Sequence, residues 1–195
     1  MIQPNFLELE SKVRRALEMI DRNPGLRSSV SYGERLRSGL ALFRQKNVET
    51  DLLYTSWRTL RGQQMKAFRD LRIELDRTRE LCDEHAVDGF PTRRIVYTDE
   101  QELLEMAGDA TAAIRGDIDT WPWIRATIDT IDSRIARAAE LKRQEKTLYA
   151  EYTVRVKERV TAYDLLLAAF RQYLGDARTD ASSLADLDSI QLLVR

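Results

Sequence analysis

Apolar residues recur along this chain at alternating steps of three and four, the spacing of one face of an α-helix. The first such row is Phe6, Leu9, Val13, Ala16 and Ile20, predicting a helix over about 4–22. It stops at Asn23-Pro24-Gly25, where proline lacks a helical N–H and glycine permits positive φ. A second helix is predicted over 31–88, with the row Leu36, Leu40, Phe43, Asn47, Thr50, Tyr54, Trp57, Arg61, Gln64, Phe68, Leu71, Leu75, Thr78, Cys82 and His85. The polar members of that row call for side-chain partners. Leu53, Leu60, Ala67 and Leu81, one position earlier, widen the face enough to receive a third helix.

A short connection with Gly89 and Pro91 follows, and Thr98 or Asp99 is placed to cap a helix over 99–118, with Glu100 and Glu102 favourable to its dipole. Its row is Leu104, Ala107, Thr111, Ile114 and Ile118. A fourth helix over 121–174 carries Trp121, Ile124, Ile128, Ile131, Ile135 and Ala138, then the aromatic members Tyr149, Tyr152, Tyr163, Phe170 and Tyr173. Gly175 is the expected C′ residue.

At 1.5 Å per residue the second and fourth helices are each roughly 80 Å long. A chain turning back along the second helix at residues 89–98 and reversing again at Pro122 would leave the fourth helix overshooting the second. The third and fourth segments are therefore expected to form one arm, kinked at Pro122 and antiparallel to the second. Pairing Asp88 with Asp99 brings Arg58 near Asp129, Arg69 near Asp117, Arg77 near Asp109 and Arg35 near Glu151. The predicted fold is all-α: one elongated antiparallel helical hairpin, coiled-coil-like, over residues 1–175. The short N-terminal helix either extends the other arm or folds back to make a three-helix base, the two apolar rows of the second helix favouring the fold-back, and 176–195 form a C-terminal tail.

Composition agrees. Ala, Glu, Lys, Leu and Arg make up nearly half of the 195 residues, whereas Gly and Pro total only twelve, too few for many short strands. The single cysteine excludes an internal disulfide framework. The start of the chain shows no basic-then-apolar leader pattern, and no apolar run approaches the ~20 residues of a membrane span, so the expected location is cytoplasmic.

Candidate chemistry is sparse. Cys82 and His85 form a C-x-x-H step, half of a tetrahedral zinc site, but the chain has no second Cys or His to complete it. Cys82 is better read as a small core hydrophobe and His85 as a polar seam residue. One histidine cannot supply the paired Glu-x-x-His motifs of a di-iron bundle, and no phosphate-binding glycine motif is present. No catalytic residue, metal ligand or cofactor is assigned, and an enzyme is not expected.

Charge is unevenly placed although the net charge is −1. Residues 35–72 carry a basic excess and 73–121 an acidic one. Arg58, Arg61, Lys66, Arg69 and Arg72 make a candidate anion or nucleic-acid stripe, Arg58 and Arg69 lying three turns apart on one face. Leu184, Leu187, Ile190, Leu192, Leu193 and Val194 in the tail demand a surface. They suit either a short helix, started by Ser182 or Ser183, that presents Leu184, Leu187, Ile190 and Val194 to its own bundle, or a docking peptide for another subunit; with the hairpin seam already filled, docking on a neighbouring subunit or another protein is expected. Trp123, off the register beside Pro122, is a further candidate contact. These features point to a non-enzymatic structural or adaptor protein assembling with itself or other subunits; nucleic-acid binding through the basic stripe ranks second.

Overall fold

The structure, a computed structural model, describes residues 4–90 and 99–180. Among them are four α-helices and no strand: α1 (Pro4–Arg22), α2 (Arg27–Glu84), α3 (Glu100–Ile114) and α4 (Trp123–Asp180). The all-α fold and the antiparallel packing of the two long helices are as the periodicity predicts. The chain divides into two compact units, one built from α1, α2 up to Tyr54 and α4 from Glu151, the other from Thr55 to Ala150.

The first unit is a three-helix bundle. Phe6, Leu9, Val13, Ala16 and Ile20 of α1 are all buried, against Leu36, Leu40 and Phe43 of α2 and Leu166, Phe170 and Tyr173 of α4. Phe6 meets Phe43 edge-on at 5.3 Å between ring centroids and tilts against Tyr163 at 4.9 Å. α1 folds back antiparallel to α2, with Glu10 on Arg44 at 2.9 Å and Asp21 on Arg37. α2 starts earlier than expected, and α4 runs through Gly175 to Asp180. One contact accounts for both ends: the Asp180 carboxylate accepts the Ser28 backbone N–H at 2.6 Å, satisfying a donor left over at the start of α2. Ala177 is buried one turn before it, so packing extends α4 past a glycine that would otherwise end it.

The second unit is also a three-helix bundle, and here the expected topology is corrected. At one end of α3, Glu100 accepts a hydrogen bond from Gln64 at 2.8 Å. At the other end, Ala113 lies beside Gly89, where a Cβ would meet its methyl at 3.7 Å. α3 therefore runs parallel to α2. The reversal comes at residues 115–122, through a 3-10 turn (Arg115–Asp117) closed by Trp121 N–H on the Asp117 carbonyl at 2.9 Å. α4 then returns antiparallel to both, with Arg134 on Glu74 at 3.1 Å and Lys142 beside Gln101 at 3.4 Å. Pro122 does not kink a continuous arm; it immediately precedes α4, where a fixed φ and a missing N–H suit a helix start.

The expected register falls with the topology. Arg35 faces Gln172 at 2.9 Å rather than Glu151, and in the second unit Trp57 faces Glu145 at 2.7 Å. The first pairing is offset by roughly six helical turns from the expected one and the second by roughly four. None of the four expected Arg–Asp and Arg–Glu pairs is among the ion pairs of the described residues.

Asp99 caps α3, its Oδ1 accepting the N–H groups of Gln101 and Glu102 at 2.8 and 2.9 Å. Those two bonds to the charged form, Glu102 first, hold its carboxyl below the usual range. α2 ends about a turn short of the expected 88. Val87 N–H reaches the Cys82 carbonyl at 2.9 Å and Ala86 N–H the Asp83 carbonyl at 3.4 Å, a Schellman pattern that puts Ala86 at C′ with φ +52°. A Cβ in that left-handed conformation costs about 1 kcal/mol, and Ala86 is exposed, so its methyl contributes little packing in return. Ala86→Gly is expected to raise the melting temperature by about 2–4 °C in a thermal scan followed by circular dichroism; a fall would show that the methyl is needed.

Candidate functional site

The five basic residues predicted as a stripe do share one flank of α2 in the second unit. Arg58, Lys66 and Arg69 are exposed and have no carboxylate partner among the described residues. Arg61 is exposed but bonded to Glu145 at 3.3 Å, and Arg72 is half-buried. Lys66, Arg69 and Arg72 line a shallow groove of about 630 Å³ with Met65, Phe68 and Glu100. Glu100 therefore sets a negative charge inside the stripe, supplied by the third helix.

Cys82 and His85 do not converge. The Cys82 side chain is 1 % exposed and turned into the core with Leu75, Val87 and Ile124. Burial, with smaller contributions from Asp83 and Asp117, pushes its thiol up to about 11. His85 lies outside, its ring 5.0 Å from Trp121 and 5.5 Å from Trp123. Trp123 is thereby half-buried beneath the imidazole, its indole N–H without a hydrogen-bond partner among the described residues. No group of three or more His, Cys, Asp or Glu side chains able to hold a metal occurs among the described residues.

The polar members of the α2 row find the partners their positions call for. Thr50, 1 % exposed, has its hydroxyl 2.7 Å from the Lys46 carbonyl and 3.3 Å from that of Arg155. Asn47 accepts from Arg159 at 3.4 Å. Arg159 is itself buried, 3.6 Å from Asp51 and with its guanidinium carbon 5.3 Å from the Phe6 ring centroid. In the second unit Gln64 is buried and bonded to Glu100, and Thr78 donates to the Glu74 carbonyl at 2.8 Å. These contacts organise the seam.

A surface that the apolar-row reading passed over lies on the first unit. Opposite its buried row, α2 presents Ser38, Ala41, Gln45, Val48 and Leu52, all exposed, again at steps of three and four and all uncharged. Val48 is 58 % and Leu52 65 % exposed. α4 presents Val154, Thr161, Leu165 and Ala168 with the same spacing, interrupted by Lys157. In a chain that is 32 % charged, a charge-free row over four turns is the exception, and its signal in the sequence is the missing charge rather than strong hydrophobicity. The tail residues Leu184, Leu187, Ile190, Leu192, Leu193 and Val194 lie outside the described residues.

No family model, no curated protein and no solved structure matches this chain. No helix among the described residues is long and apolar enough to cross a membrane.

The Cys82 environment has a direct consequence. At pH 8 only about one thiol in a thousand is ionised when the pKa is near 11. An aromatic disulfide reagent is expected to leave Cys82 unmodified over minutes in the native protein and to modify it fully in guanidinium chloride. Because the folded thiol lies above its unfolded value, its contribution to stability is intact below about pH 9 and fades as the pH rises towards 11. Rapid labelling of the native protein would contradict the burial.

Proposed function

We propose that the protein is a non-enzymatic structural subunit that assembles with further copies of itself through the outer rows of its long helices. The observation that carries this reading is the exposed, uncharged row Ser38, Ala41, Gln45, Val48 and Leu52 on α2, answered in the same unit by Val154, Thr161, Leu165 and Ala168 on α4. Both rows have the three-four spacing that lets helices from two copies interdigitate side chains, and small residues in each allow close approach. The acidic excess over 73–121 and the basic excess over 35–72 add complementary charge between copies, an effect of encounter and orientation more than of affinity. The earlier expectation of a structural or adaptor role thus stands as a proposal, with the shaft as its contact surface.

Light scattering coupled to size-exclusion chromatography over a range of concentrations tests it. The unaltered chain is expected to form a species of at least twice 22.6 kDa. Val48→Asp with Leu52→Asp is expected to return it to the monomer, with a melting temperature of the monomer changed by no more than about 2 °C because both side chains are largely exposed. A monomer at every concentration, or an assembly indifferent to the double substitution, overturns the proposal.

A second reading, nucleic-acid binding, is favoured by one observation: Arg58, Lys66 and Arg69 are exposed without a carboxylate partner among the described residues. Glu100 beside them weighs against it. If this reading holds, duplex DNA binds with little sequence preference. Affinity falls steeply with salt, and Arg58→Ala with Arg69→Ala makes the log–log slope shallower by about 2. Binding that is absent at low salt, or unchanged in the double variant, removes it.

A further inference from the structure

The first unit has a groove between α1 and α4, of about 370 Å³, whose floor is Leu9 and Phe170 and whose walls include Tyr163, Leu167 and Leu174. Leu9 and Phe170 are nearly fully buried, whereas Tyr163, Leu167 and Leu174 remain half-exposed beside them. Along its rim stand Glu8 and Lys12, paired at 2.8 Å, and Arg171, which is exposed and has no carboxylate partner among the described residues. α4 ends at Asp180, six residues beyond Leu174. Fifteen further residues then follow, with Leu184, Leu187, Ile190 and Val194 at helical spacing.

We propose that residues 184–194 of the same chain occupy this groove as a short helix antiparallel to α4, making a fourth helix of the first unit. Three observations select this occupant. Length is one: Leu184 to Val194 spans about 15 Å as a helix, and Leu174 back to Tyr163 on α4 about 16 Å. Attachment is another, since Ala181, Ser182 and Ser183 give a connection within the range usual for antiparallel helix neighbours, and either serine suits the cap of the helix that follows. Charge is the third, because Asp186 and Asp188 flank the apolar row and meet Arg171 and Lys12 on the rim. The connection also makes docking intramolecular, which a tail from another copy matches only at high concentration. The expectation that the tail must leave its own chain rested on the seam being full; the α1–α4 groove is a separate place for it.

A designed cysteine pair reads the arrangement. With Leu184 beside Leu174, Ile190 falls beside Leu167, so Leu167→Cys with Ile190→Cys is expected to close a disulfide within one chain under mild oxidation. Non-reducing electrophoresis and intact mass would show a monomer two hydrogens lighter. Leu165→Cys with Ile190→Cys, placing one thiol on the exposed outer face of α4, is expected to leave both thiols free. Leu187→Asp in the otherwise unaltered chain is expected to lower the melting temperature by at least about 5 °C, independently of protein concentration. A disulfide-linked dimer from the first pair means that the tail seats on a second copy. Equal reactivity of the two pairs, or a melting temperature unmoved by Leu187→Asp, means that the groove does not hold the tail. Any of these overturns the proposal.

Discussion

Neither long helix holds its conformation by propensity. α2 and α4 are 58 residues each and are rich in good helix formers such as Leu, Arg, Ala and Glu, but propensity alone leaves so long a helix marginal, and their stability comes from burying one row against two neighbours. In the first unit those neighbours include α1, in the second α3. Each long helix therefore serves in turn as one wall of two different three-helix bundles, and the wide face of α2 is what lets it do so. Leu53, Leu60, Ala67 and Leu81, beside the main row, are all buried or half-buried.

The second requirement is that the rows meet in one register. An apolar row repeating every three or four residues tolerates a slip of one heptad with little loss, because most positions look alike. The polar members do not. Thr50 with its hydroxyl near the Arg155 carbonyl, Asn47 on Arg159, Trp57 on Glu145 and Gln64 on Glu100 each have one partner position, and a slip leaves a buried polar group unsatisfied. Arg159 is the most demanding of them, a buried guanidinium held by Asn47, Asp51 and the face of Phe6, so α1, α2 and α4 all contribute to its site. Buried polar groups of this kind add less to stability than to uniqueness.

The chemistry visible on the surface follows from the same economy of residue types. With Cys82 turned inward and His85 stacked on two indoles, the two most reactive side chains of the chain serve packing. What the first unit presents outward is uncharged helix surface at coiled-coil spacing, and what the second presents is a mixed stripe of arginines with Glu100 set among them. Among the described residues no helix covers the first, and the proposed assembly rests on that exposure.

The sequence by itself determined the helical phase of the α1 and α2 rows, although Tyr149 of the α4 row is exposed and in α3 Leu103 rather than Leu104 is fully buried. Of the fifteen positions named along the α2 row, only Arg61 and His85 are exposed, and the whole α1 row is buried. Helical phase is local, fixed by 3.6 residues per turn, so it is legible without knowing the partner. The cap at Asp99, one of two adjacent candidates, and the fold-back of α1, one of two placements, were legible as alternatives for the same kind of reason, a short-range hydrogen bond and a wide apolar face. Direction and register were not. The argument against a reversal at Pro122 assumed that α3 starts where α2 stops. In the structure Glu100 is already back beside Gln64, a return of roughly 30 Å that the residues after Glu84 are long enough to make. Nothing in the periodicity of a connecting segment records how far it travels. The site shows the same division: spacing put Arg58 and Arg69 on one face, but only the parallel placement of α3 put Glu100 among them. The outer rows of α2 and α4 have the same spacing as the buried ones, so only packing could decide which row the neighbouring helices cover and which they leave exposed.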